Sequence, residues 1–240
     1  MAKNSLLYAL SCELKKIRRL IYRRLFMNKK EEKECISRFH EMYYYSDVHG
    51  GSTYWLGYST LKNPLDCWIY QEILHEVKPD LIIETGTNRG GSALFLASIC
   101  DLLNKGEVLT IDIEDYADMP VHDRITMLKG SSVSKQIFDR VKEKADNAQT
   151  VLVILDSDHR KDHVLEELRL YAPLVTTGSY LIVEDTNLNG HPVVPDFGPG
   201  PYEAVEDFLK EDNSFIVDRE KEKFHLTFNP QGFLRKIRNN

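Results

Sequence analysis

The chain has 240 residues, 42% hydrophobic and 28% charged, which suits one α/β domain with a sizeable core plus appendages. Net charge is −6, unevenly placed: residues 1–30 hold nine Lys/Arg against the single acid Glu13, and the remainder holds 22 basic against 36 acidic residues, a net of −14. So acidic a body argues against nucleic acid as the main partner. The four cysteines, Cys12, Cys35, Cys67 and Cys100, form no C-x-x-C pair for zinc and no disulfide framework, which suits a reducing cytoplasm. No apolar run reaches the roughly 20 residues of a spanning helix. The run Leu6 to Leu10 is too short for a secretory leader and precedes its basic cluster.

Residues 5–26 place Leu6, Leu10, Leu14, Ile17, Ile21 and Leu25 at helical spacing, with basic residues largely between them. Such a helix lies on an anionic membrane, here the inner surface, or packs on the domain or on a second subunit of a homo-oligomer. Glu31 to Arg38 is a charged connector, so residues 1–40 are expected as an appendage and 41–240 as the domain. Tyr43 to Tyr58, rich in aromatics and glycine, lacks either regular period and predicts an ordered loop that lines a pocket or packs under the sheet. Asn63-Pro64 starts a helix, Pro64 to Val77, that Lys78-Pro79 ends.

Leu81 to Glu84 predicts a buried parallel strand running into a glycine turn, and Ser92 opens an apolar helix. Glycines at 86, 90 and 91 let backbone approach a bound group, and the N–H groups of a helix start favour an anion or carboxylate. The spacing Glu84-x-Gly86-x-x-x-Gly90-Gly91 departs from the G-x-G-x-x-G of dinucleotide binders, which disfavours a nicotinamide oxidoreductase. It resembles motif I of S-adenosylmethionine-dependent methyltransferases. Glu107 to Ile113 is the next strand, and Asp112, 22 residues past Gly90, stands where an acid accepts ribose hydroxyls. Ile125 to Leu128 is a short strand followed by Ser131 and Ser132, candidates for an adenine edge. A helix, Val133 to Ala145, follows.

Val151 to Leu155 predicts a central strand delivering Asp156-Ser157-Asp158-His159 to the sheet edge, and Tyr180 to Val183 delivers Glu184-Asp185-Thr186-Asn187. Like charges gathered so closely raise one another's pKa unless a cation intervenes, and hard oxygen ligands suit magnesium. His163, on a helix from His163 to Tyr171, reaches the same site or is a surface or hydrogen-bonded residue. Asn187 to Pro201 is a proline- and glycine-jointed loop suited to closing over an acceptor. A helix, Tyr202 to Lys210, precedes Phe215 to Asp218 and His225 to Phe228, which resemble the antiparallel hairpin that finishes a methyltransferase sheet, and a basic tail, Phe233 to Asn240.

Together, Glu84-Thr85-Gly86-Thr87-x-x-Gly90-Gly91-Ser92, Leu155-Asp156-Ser157-Asp158-His159 and Gly178-Ser179-Tyr180-Leu181-Ile182-Val183-Glu184-Asp185-Thr186 resemble the cephalosporin hydroxylase family, itself similar to rhamnosyl and macrolide-sugar O-methyltransferases. The resemblance implies a Rossmann-like, doubly wound, mostly parallel seven-stranded α/β sheet with a C-terminal antiparallel hairpin. It also implies an S-adenosylmethionine-dependent, magnesium-assisted O-methyltransferase acting on a sugar or glycosylated small molecule, or else a cofactor-binding accessory protein without turnover. Implied cofactor residues are Glu84, Gly86, Thr87, Gly90, Gly91, Ser92, Asp112, Ser131 and Asp156. Asp156, Asp158, Glu184 and Asp185 are the implied metal set, with Asp156 preferred over Asp158, and His159 with Asp156 the implied catalytic pair.

Overall fold

The computed structural model describes residues 2–26, 28–49 and 51–239, which form two units, Met1–Phe39 and His40–Asn240. In the first, α1 (Ala2–Phe26) leaves Leu10, Leu14, Ile17 and Ile21 half-exposed or more. The side chains of Leu6 and Leu25 lie outside the described residues. The expected connector at 31–38 is instead part of α2 (Lys29–Tyr44). Asn28 explains the difference: its Oδ1 accepts from the N–H groups of Lys30 and Glu31 at 3.0 and 2.9 Å, so a cap starts a helix that has no apolar period to announce it.

In the second unit, β1 (Tyr54–Trp55) and β2 (Tyr58–Ser59) pair within the segment expected as a loop. Next comes α3 (Pro64–Val77), capped by Asn63, whose side chain accepts from Leu65 N–H. Then follow β3 (Leu81–Thr85), α4 (Gly91–Leu103), β4 (Glu107–Asp112), β5 (Ile125–Lys129), α5 (Lys135–Asp146), β6 (Val151–Leu155), α6 (Lys161–Tyr171), β7 (Tyr180–Val183), α7 (Pro201–Glu211), β8 (Phe215–Val217) and β9 (Phe233–Lys236). The seven-stranded order is β5-β4-β3-β6-β7-β9-β8, parallel except for β9, which runs antiparallel to β7 and β8. The chain builds outward from β3 through β4 to β5, then returns to β6 and builds the other way. That reversal opens a crevice at the carboxyl ends of β3 and β6, where doubly wound sheets bind ligands.

Strand side chains alternate between faces. Leu81, Ile83, Val153, Leu155 and Val183 pack in the core on the α5–α6–α7 side, while Ile82, Ile154 and Ile182 pack in the core against α3 and α4. Two residues on, the same alternation brings Glu84, Asp156 and Glu184 to the α3–α4 side, at adjacent strand ends.

The sheet closes differently from expectation. Residues 225–228 form no strand, and Phe233–Lys236, expected within a basic tail, is the closing one. Its basic end is disguised because Lys236 is buried and its Nζ donates to the carbonyls of Ala172 and Val175 at 3.0 and 2.8 Å. Residues 226–229 are instead a buried loop tied to α3: Phe228 N–H donates to Asp66 Oδ2 at 2.8 Å and Asn229 Nδ2 to Tyr70 Oη at 2.9 Å. Burial pushes the Asp66 carboxyl up to about 7 against the hydrogen bonds that it accepts. Asp66→Ala orphans the Phe228 N–H and should cost roughly 1–3 kcal/mol in urea unfolding. Asp66→Asn, which keeps an acceptor, should stay near wild type.

Candidate active site

β3 ends at Thr85, and the chain turns at Gly86 with φ of 88°, in the left-handed region. A Cβ there would lie 1.8 Å from the Asp156 carbonyl oxygen, so the turn and the end of β6 meet backbone to backbone. Beside it, a Cβ on Gly91 would fall 2.2 Å from Ser59 O. These close approaches border a cavity of about 430 Å³, walled in part by Gly86, Thr87, Gly91, Ser92, Asp112 and Asp156. Gly90 is the N-cap of α4 and lies against Pro120 rather than on that wall. Asp112 is held at both oxygens, Oδ2 accepting from Asn88 N–H at 2.7 Å and Oδ1 from Glu114 N–H at 2.9 Å. It stands where the cavity meets a second one, of about 500 Å³, that Ser131 lines. Glu84 is on neither wall: it lies fully buried beneath the turn, its Oε2 accepting from Thr110 Oγ1 at 2.7 Å.

Below the acids sits a cation that the sequence did not reveal. Lys62, just before the α3 cap, is buried, and its Nζ lies 2.5 Å from both Asp156 Oδ2 and Glu184 Oε1. Burial works against the ammonium, but Asp156, Glu184 and Glu84 outweigh it and hold Lys62 charged. Burial also works against ionised Asp156, yet Lys62 and His159 keep its pKa below the ordinary carboxylate range. Glu184 goes the other way, since burial and the charge of Asp156 exceed the help from Lys62.

Above this layer His159 Nε2 lies 3.3 Å from Asp156 Oδ1 and 3.4 Å from Asp185 Oδ2. Burial opposes its charge, but Asp185 and Asp156 override it and raise the imidazole to about 9. Asp185 is set by a backbone φ of 53° and by donating its N–H to Asn229 Oδ1 at 3.1 Å. Of the residues expected to serve a metal, Asp156 and Asp185 thus come together with His159, one ligand atom of each lying within 4.8 Å of the others. Glu184 lies one layer down with Lys62. Asp158 is turned to Arg160, whose Nε donates to it at 2.9 Å and whose guanidinium lowers its pKa to about 2.

The donor set fits a hard divalent cation. Asp156 and Asp185 offer carboxylate oxygens on the cavity wall with the His159 imidazole between them. Tyr44 and His49, from the aromatic segment, also line the first cavity. The 187–201 loop lines neither cavity and is fastened instead to α7, with Asn189 Nδ2 and His191 Nε2 each 3.0 Å from Glu203 Oε1.

A family model described as Rhamnosyl O-methyltransferase/CmcI matches residues 48–237. The chain is 40% identical over 213 residues to the rhamnosyl O-methyltransferase of Mycobacterium bovis (strain BCG / Pasteur 1173P2), covering 86% of each chain. It is 41% identical over 210 residues to that of Mycobacterium leprae (strain TN), covering 84% of this chain and 90% of the relative. In fold it is similar to the solved structure cmcI-D160 Mg-SAM, with TM-score 0.59 and 20% identity over 81% of this chain and 79% of that one.

Replacing Lys62 by Met strands buried carboxylates and should destabilise the metal-free protein by roughly 3–5 kcal/mol in urea unfolding, with Glu184→Gln restoring part of the loss. The raised His159 contributes stability that is complete below 6.5 and disappears as pH rises through about 9. Unfolding measured across that window should therefore show a decline that is shallower in His159→Gln.

Proposed function

Because this chain belongs to the rhamnosyl O-methyltransferase/CmcI family, we propose that it transfers a methyl group from S-adenosylmethionine to a hydroxyl of a sugar or glycosylated small molecule, assisted by magnesium. The observation that carries this is the meeting of the Gly86 turn cavity with the Asp156–His159–Asp185 cluster at one sheet edge. When bound, the cofactor supplies an electrophilic methyl, and a hard cation lowers the pKa of a coordinated hydroxyl.

The chain's own residues do the rest. Backbone N–H groups at Gly91 and Ser92, with Thr87, receive the amino-acid end of the cofactor, where the start of α4 favours a carboxylate. Asp112 takes the ribose hydroxyls, and Ser131 borders the base. Asp156 and Asp185 would hold the cation, and Lys62 fixes the second oxygen of Asp156 and Glu184. His159 accepts the hydroxyl proton as the acceptor oxygen bonds to the methyl carbon and the carbon–sulfur bond breaks. A cation held by Asp156 and Asp185 would take up the charge that raises His159 and so lower its proton affinity.

α1 extends the proposal. Its exposed Leu10, Leu14, Ile17 and Ile21, with Lys15, Lys16, Arg18 and Arg19 among them, suit an anionic lipid surface, and a homo-oligomer is expected of the whole chain. Among the described residues no helix is long and apolar enough to cross a membrane.

Mass spectrometry of methyl transfer to a rhamnoside panel tests the activity; EDTA should stop it and magnesium restore it. Asp185→Asn should lower kcat at least about 100-fold while calorimetric affinity for S-adenosylhomocysteine persists. Loss of both, or of neither, would overturn the assignment. Activity should rise with pH along a limb that His159→Gln removes. Phosphatidylglycerol vesicles, but not phosphatidylcholine ones, should pellet the protein, and Leu14→Glu should abolish that; sedimentation velocity reads the oligomer.

A further inference from the structure

The backbone on either side of Lys62 is pinned. Before it, Thr60 N–H donates to Thr53 O at 2.9 Å, and residues 59 and 60 lie so close to the start of α4 that a Cβ on Gly91 would fall 2.2 Å from both Ser59 O and Thr60 Oγ1. After it, Asn63 caps α3 by accepting from Leu65 N–H at 3.1 Å and donates from Nδ2 to Leu226 O at 3.4 Å. The buried ammonium is therefore delivered to one place, 2.5 Å from both Asp156 Oδ2 and Glu184 Oε1.

A cation shared by two carboxylates lies between their oxygens. Asp156 and Glu184 already share one, and it belongs to the chain. Nor does Glu184 face the ligand space elsewhere: it lies on the wall of neither cavity and outside the grouping of Asp156, His159 and Asp185. The Tyr70 hydroxyl, which accepts from Asn229 Nδ2 at 2.9 Å, turns its own hydrogen to Glu184 as well. Of the three acids at the ends of β6 and β7 in this cluster, the cavity meets only Asp156 and Asp185.

We propose that Lys62 withholds Glu184 from the metal, so that the chain binds its divalent ion through two of these carboxylates rather than three and keeps it readily exchangeable. The proposal rests on the metal assignment above. Two effects act together, since a fixed positive charge repels a divalent ion beside it and the carboxylate that would join as a third ligand is occupied. Removing the ammonium thus has opposite consequences with and without metal. Without an ion, buried carboxylates are stranded; with one, the repulsion is gone and Glu184 is released to bind.

Titration of the full chain with Mn2+, which takes the same hard oxygen donors as Mg2+, tests this in the absence of cofactor and acceptor, the free ion being counted by its electron paramagnetic resonance signal. Lys62→Met should bind Mn2+ at least about threefold tighter than wild type, and Mn2+ should raise its stability in urea by more. Glu184→Gln should weaken binding by less than about tenfold in the wild-type background, because no ligand is lost, and by clearly more in Lys62→Met, where one is. A smaller gain in Lys62→Met overturns the proposal, as does an equal cost of Glu184→Gln in both backgrounds. A larger loss in Glu184→Gln alone also overturns it, and that outcome stands whether or not Lys62→Met folds. Mn2+ bound no better by wild type than by Asp185→Asn would instead sink the metal assignment beneath it.

Discussion

The ammonium of Lys62 is the constraint on which the site depends. Three strand ends deliver acids to the same side of the sheet, and carboxylates crowded into a dry interior repel one another and resist ionisation. Lys62 touches two of them and sits within the field of the third, so Asp156 stays ionised although its surroundings would protonate an isolated acid. With that charge fixed below, Asp156 and Asp185 face the cavity as a pair, bridged by His159. Removing one partner from such a set costs more than the pair contributes, because a buried charge is left alone.

Topology and alternation supply the positions. β6 and β7 are neighbours, and Glu184 follows immediately on the register that pairs Leu155 with Val183, so Asp156 and Glu184 fall side by side. Asp185, one residue further, turns to the other layer through a left-handed backbone conformation that Asn229 stabilises. Adjacent acids in sequence thereby serve different layers: Glu184 is buried against Lys62, and Asp185 lines the cavity.

Much of this was legible in the sequence where local signals agreed. Helix 64–77 and strands 151–155 and 180–183 carry clean caps or unbroken apolar runs, and the structure forms them with those limits. The acids at the strand ends were visible for the same reason. Lys62 was not, because a lysine before Asn-Pro looks like an ordinary solvated helix flank; only the shared parity of Glu84, Asp156 and Glu184 hints that a counter-charge must arrive from the α3 side. Asp158 was the second choice to Asp156, and its neighbour Arg160 claims it. The end of the sheet misled because the apolar residues at 226 and 228 are buried in a loop, whereas the true strand finishes in a lysine that caps carbonyls.

The loop at 226–232 gives the acid layer an unusual dependence on chain order. It ties Asp66 and Tyr70 on α3 to Asp185, and Val183 N–H donates to Gly232 O at 2.9 Å while Thr186 Oγ1 donates to Pro230 O at 2.7 Å. During synthesis, then, the cavity and its glycine turn emerge well before the clasp that orients Asp185. Until that late segment has left the ribosome, the nascent protein carries the parts of an active centre without their alignment.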